Sequence, residues 1–176
     1  MSELHLHPDY LIDKPIGEIQ KYLQDNLPWL DNIYGRSQKL VRDRKIYPAF
    51  KACDADYRDL CPDEELCNYA FFVVNDPLTI DDFSPHIKNK LSSEVSIILW
   101  FNMDEAEPDA STEQLKGEIL SIIGDITIKS GQFIPERIYE TDIFKGYNID
   151  ENKIQYMMFP FYEFKITGTL YYRELC

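Results

Sequence analysis

Among the side chains able to do chemistry are His5 and His7, near the start of the sequence. In a strand, an H-x-H pair puts both imidazoles on one face, where they could hold a metal ion with two further ligands. No third ligand follows nearby, so the plainer reading is two N-terminal side chains in a segment prone to fraying. The stretch Asp54-Ala55-Asp56-Tyr57-Arg58, with Glu65 at the twelfth position, matches part of a calcium loop. It fails at Asp59, where a glycine must make the sharp turn, and at Arg58, which stands in a ligand position. A solvated loop is the expectation. Cys53, Cys61 and Cys67 with His86 form a nominal zinc set, but the cysteine spacings of eight and six give no knuckle. With Cys176 they read as free thiols, in keeping with an intracellular chain, and as small apolar side chains. A hydrolase triad needs a serine or cysteine beside a histidine. His86 is the one histidine inside the expected globule, and no nucleophile elbow is present. The adjacent carboxylates Asp81-Asp82 and Glu64-Glu65 would face opposite ways in a strand, which denies them shared acid–base work. The seven glycines are scattered singly, so there is no phosphate loop. No catalytic residue, metal or cofactor is therefore expected.

The elements that would position these residues can be read from periodicity. Pro15 lies in the first turn of a helix running to Asn26, with Ile12, Ile16, Ile19 and Leu23 at helical spacing, and Pro28 ends it. Residues 33–50 turn to extended patterning, read as two strands joined near Arg42-Asp43, with Pro48 at an edge or strand end. Residues 51–68 read as a long excursion with a short strand around 57–60. Residues 69–74 form a strand stopped by Asn75-Asp76-Pro77, and a helical turn or two is expected after Ser84-Pro85. Residues 95–101 are apolar at nearly every position, as in a central strand covered on both faces. Ser111 and Gln114 make a capping box for a helix carrying Leu115, Ile119, Ile122 and Ile123, with Gly124 as its C-terminal stop. Residues 125–139 stay ambiguous between a short strand and a loop. In 161–172, Tyr162, Phe164, Ile166, Leu170 and Tyr172 alternate with Glu163, Lys165, Thr167, Thr169 and Tyr171, which predicts a long antiparallel strand with one buried and one exposed face. A single domain of 176 residues is expected, with residues 1–12 extended.

Charge is unevenly spread. The net charge is −13, which argues against general wrapping of nucleic acid. Yet Arg36, Lys39, Arg42, Arg44, Lys45 and Lys51 stand against Asp43 alone, a local net of +5. Residues 52–113 then hold fifteen acids against Arg58, Lys88 and Lys90, a net of −12. One reading is a solvated hairpin whose charge keeps an edge soluble. The other is a head-to-tail contact, the basic stretch of one copy on the acidic surface of the next, a heterologous interface that can close into a ring. Around DNA, an acidic wall would limit sticking while a few inward cations held the duplex loosely.

The order of a leading helix, strands in 33–50, a central strand, a capped helix and a long closing strand resembles tail-terminator and head–tail connector proteins of tailed bacteriophages. The stretch Ile46-Tyr47-Pro48-Ala49-Phe50, followed by Asp63-Glu64-Glu65-Leu66-Cys67-Asn68-Tyr69 and Asn75-Asp76-Pro77, is similar to neck or ring proteins of phages and prophages of gut Bacteroidales, including crAss-like phages. That resemblance implies an α+β fold, a mainly antiparallel sheet packed by two helices in the manner of a tail terminator. It also implies a non-enzymatic virion protein, made in the host cytoplasm and placed in the neck between portal and tail. Its partners would be copies of itself in a homo-oligomeric ring, other neck, portal or tail proteins, and DNA only as a duplex passing through the lumen, with no membrane. Arg36, Lys39, Arg42, Arg44 and Lys45 would face a neighbouring subunit or the lumen. Two alternatives stay open: a small acidic binding or adaptor module, and a small enzyme with a site across residues 51–68 and 79–90, marked by a perturbed carboxylate in a pocket.

Overall fold

The computed structural model describes residues 2–8, 10–51, 56–76, 78–84, 87–107, 109–124 and 126–173. The chain opens with β1 (Glu3–His5), crosses over through α1 (Asp13–Asn26) and returns as β2 (Asn32–Arg36) parallel to β1. A helical crossover is what parallel neighbours require. The α1 stripe is the expected one, with Ile16, Ile19 and Leu23 buried. Gln20, also buried on that helix, donates to the carbonyl oxygens of His5 (3.1 Å) and Ile33 (2.8 Å), stitching the helix to both strands.

A three-stranded sheet follows: β3 (Gln38–Arg42), β4 (Lys45–Lys51) and β5 (Tyr57–Asp59). After a 3₁₀ helix at Glu64–Leu66, β6 (Tyr69–Val74) rejoins the large sheet parallel to β2. Asn68 guards this re-entry. Its side chain donates to the Trp29 carbonyl (3.2 Å) and accepts from the Asn102 amide (2.8 Å), while its own amide donates to Asp31 (3.0 Å). β7 (Thr79–Ser84) and the long β8 (Ile87–Asn102) form an antiparallel pair where a helical turn was expected; Pro85 and His86 lie outside the described residues. Next come the short α2 (Met103–Ala106) and α3 (Thr112–Gly124). The capping box is present: the Gln114 amide donates to Ser111 Oγ (3.2 Å) and the Ser111 amide to Gln114 Oε1 (2.8 Å). Gly124 is the last helical residue and has no left-handed φ. β9 (Thr127–Ile128) and β10 (Gly131–Tyr139) resolve the ambiguous segment as a hairpin with an irregularity between Pro135 and Arg137. A 3₁₀ helix at Glu151–Met157 precedes β11 (Phe161–Arg173), which is antiparallel to both β8 and β10.

The expected mainly antiparallel sheet packed by two helices is overturned. The fold is mixed α/β: the large sheet runs β1-β2-β6-β8-β11-β10-β9 with parallel pairs on its β1 side, a second sheet stands apart, and helical segments other than α1 and α3 are present. The cause lies in two crossovers. Residues 6–31 and 37–68 each carry the chain away and bring it back in the same direction, which no hairpin can do.

Register assigns the two faces. Val95, Ile97, Leu99 and Phe101 of β8 share a side with Ala70 and Phe72 of β6 and with Phe164, Ile166 and Leu170 of β11, and α1 and α3 cover them. Ile98 and Trp100 share the opposite side with Tyr69 and Phe71. There Tyr34, Phe50, Leu60, Leu66, Ile143 and Phe144 build a second, largely aromatic core. The face of β11 expected to be exposed is thus partly covered, because the small sheet and residues 140–160 fold over it. Thr167 is buried, and Glu163 and Lys165 are only half-exposed.

Candidate functional site

Four of the five singled-out cations lie on β3, β4 and their turn, and Arg36 lies just before them. Asp43 and Arg44 both have left-handed φ, 52° and 62°, which makes the two-residue turn that matches the twist of paired strands. Strand pairing runs from Gln38 opposite Ala49 to Arg42 opposite Lys45.

The cations are not equivalent. Arg36 is a bridge within the chain, with Nε and Nη2 donating to the two carboxylate oxygens of Asp13 at 2.9 and 3.0 Å, tying the end of β2 to the start of α1. Donating these hydrogen bonds to the Asp13 carboxylate raises its pKa. Arg42 donates to Asp59 at 3.3 Å and stands 5.0 Å from the centroid of the Tyr47 ring. Lys45 donates to Asp150 at 3.2 Å, and the Tyr47 hydroxyl donates to the same oxygen; this hydrogen bonding raises the Lys45 pKa and lowers that of Asp150. Lys39 and Arg44 are exposed and, among the described residues, in no ion pair. The hairpin tip therefore presents Arg44 and Val41, the latter 67% exposed, with Arg42 and Lys45 half-neutralised beside them.

The acidic counterpart is at the far end of the central strands. Asp104, Glu105, Glu107, Asp109 and Glu113 are exposed around α2 and the start of α3. The chain enters α2 from Asn102, next to the end where β2 and β6 begin, whereas it leaves for the hairpin after Arg36, at the opposite end.

The other chemical candidates are placed as follows. His5 Nε2 is 3.1 Å from Asn32 Oδ1, and its ring stacks on Tyr34 with centroids 4.2 Å apart. His7 Nε2 is 2.8 Å from the Arg36 carbonyl. Cys61 is buried, and burial pushes its thiol pKa up; Cys67 is exposed, unlike the expected small buried residue. Both are free. Cys53, Asp54, His86 and Cys176 lie outside the described residues, so the calcium, zinc and triad sets cannot be assembled from the described ones. Glu64 and Glu65 sit in the 3₁₀ helix, where the Glu65 amide donates to Asp63.

Two groups were not singled out from the sequence. Burial, with Asp142 nearby, raises the Glu163 carboxyl to about 7, and one of its buried oxygens has no hydrogen-bond partner among the described residues. It lines a cavity of about 210 Å³ with Glu140, Met157, Phe159, Phe161 and Tyr162. Lys165, also on the covered face, has its pKa lowered by burial. Their alternation with apolar residues places them on one strand face, but nothing local announces that this face is covered. No helix among the described residues is long and apolar enough to cross a membrane. No protein-family model matches the chain, and no curated protein is similar to it at a significant level.

Proposed function

We propose that the protein is a non-enzymatic structural subunit that assembles head to tail into a ring, of the kind found in the neck of a tailed phage between portal and tail. The observation that carries this reading is the polarity of charge along the sheet, with a basic hairpin rooted at one end and an acidic rim at the other. Surfaces that differ at the two ends are what a heterologous, ring-closing contact needs. A second feature supports it. Among the described residues, β10 pairs with β9 only at Gly131 and Gln132, so its outer edge from Phe133 onward is open, with Ile134 and Ile138 exposed. Open edges invite another chain.

The test is the solution mass by light scattering across concentration and salt, with negative-stain imaging of large species. A ring that dissociates at high salt is expected, and charge reversal of Arg42 and Arg44 should weaken it without unfolding the monomer. Assembly unchanged by R42E/R44E overturns the role of the hairpin.

One observation favours a second reading, that of an enzyme. Glu163 is a perturbed carboxylate in a cavity, although the cavity lies under residues 157–163 and not across the two loops expected from sequence. Among the described lining residues there is no histidine, serine, cysteine or lysine to act with it. Loss of a measured activity in Glu163→Gln with the fold intact would decide for that reading.

A further inference from the structure

Lys39 of β3, Lys145 of the segment after β10 and Lys165 of β11 are remote in sequence, yet they meet around one cavity of about 110 Å³. Asn75, Ile98 and Tyr147 contribute to its wall. The chain carries 31 acids against 18 lysines and arginines, so three lysines with no carboxylate among the described lining residues reverse the composition of the whole. None of the three ammonium groups is in an ion pair among the described residues. Glu94 is the acid that acts on Lys165, and Arg137 already holds it at 3.2 Å. The Lys165 ammonium stands 5.5 Å from the centroid of the Tyr139 ring, which offsets only part of the cost of its burial.

We propose that this cavity binds a small tetrahedral oxyanion of the phosphate class. Ammonium groups supply several donors each, and charge-assisted bonds to oxyanions are the strong ones. The space holds several waters, enough for a phosphate or sulfate. It is well below the roughly 300 Å³ at which sites for larger organic ligands begin. The assignment needs no ring, since all three lysines belong to one chain; Lys39 is shared with the basic hairpin, whereas Lys145 and Lys165 lie outside it.

The experiment is calorimetric titration of the full chain with sodium phosphate, at neutral pH and constant ionic strength in chloride. Saturable uptake is expected, with sulfate competing. Lys145→Gln, at an exposed position, and Lys165→Met should each weaken it about tenfold, the loss of one charge-assisted contact, with unchanged circular dichroism. Phosphate and sulfate also stabilise proteins generally by exclusion from the surface. A response that never saturates, or one equal in parent and variants, is that general effect and overturns the proposal. A short DNA duplex provides the remaining arm. If it occupies the same lysines more tightly than phosphate at equal phosphate concentration, the site takes a backbone phosphodiester and the free-anion assignment fails.

Discussion

On the helix side of the large sheet the contacts are mainly aliphatic and repeat with the period of α1 and α3. On the opposite side they are largely aromatic and come from the small sheet and residues 140–160, which have no common period. The polar atoms differ too. The helix side holds Gln20 as a donor to two strand carbonyls, whereas the aromatic side holds Glu163 and Lys165 at the boundary of their cover and the Trp100 indole donating to the Tyr156 carbonyl at 2.7 Å. A side built from two periodic helices can hide apolar surface and little else. A side closed by irregular segments traps charges, and trapped charges are where ligands, protons or neighbouring subunits can act.

The sharpest way to break this contrast is to remove one large side chain from each side. Leu99→Ala, on the helix side, should cost about 2–5 kcal/mol in urea unfolding, with every probe moving together. Phe144→Ala should cost about 3 kcal/mol, but appear first as faster hydrogen exchange in residues 140–160 while β8 keeps its protection. A uniform rise in exchange would mean that the two sides form one cooperative unit.

A smaller effect is expected from Glu163→Gln. The folded carboxyl sits near 7, above its ordinary value, so the native state binds the extra proton. Its contribution is complete below the ordinary carboxylate range and is lost as pH climbs through about 7. The glutamine should therefore leave stability at pH 4 unchanged and raise it at pH 8 by about 1–2 kcal/mol, solvent screening part of the cost. A pH profile parallel to the parent's would remove Glu163 as the trapped charge.

The smallest change concerns the hairpin. Glycine relieves the left-handed backbone of Arg44 while deleting its charge, so Arg44→Gly should stabilise the monomer by about 0.5–1 kcal/mol and yet weaken assembly. Assembly that strengthens along with the fold would show that the tip acts through its shape.

Much of the helix side was legible because its signals are local. The run 95–101, the Ser111/Gln114 box and the stripe of Ile16, Ile19 and Leu23 each report burial within a few turns of chain. The parallel pairs were not legible, since Glu3–His5 is a strand only by virtue of Asn32–Tyr34 beside it, across the whole of α1. Ser84-Pro85 read as a helix start because the hairpin of β7 and β8 depends on pairing that the dipeptide does not encode. The covered side of β11 was hidden for a related reason: Glu163 and Lys165 alternate as an exposed row would, and their cover arrives from residues 38–66 and 140–160. The five cations stood out as a cluster, but that Asp13, Asp59 and Asp150 would claim three of them depends on tertiary contacts.

The pairing of β8 with β11 continues unbroken in register from Asn102 opposite Phe161 to Lys90 opposite Arg173, about 40 Å of ladder. Tension along the strand direction would load these hydrogen bonds in shear, many at once, while a pull across them would open them one after another like a zip. The molecule thus has a stiff axis and a weak one, and any assembly that must withstand pressure or traction would do best to align its load with the former.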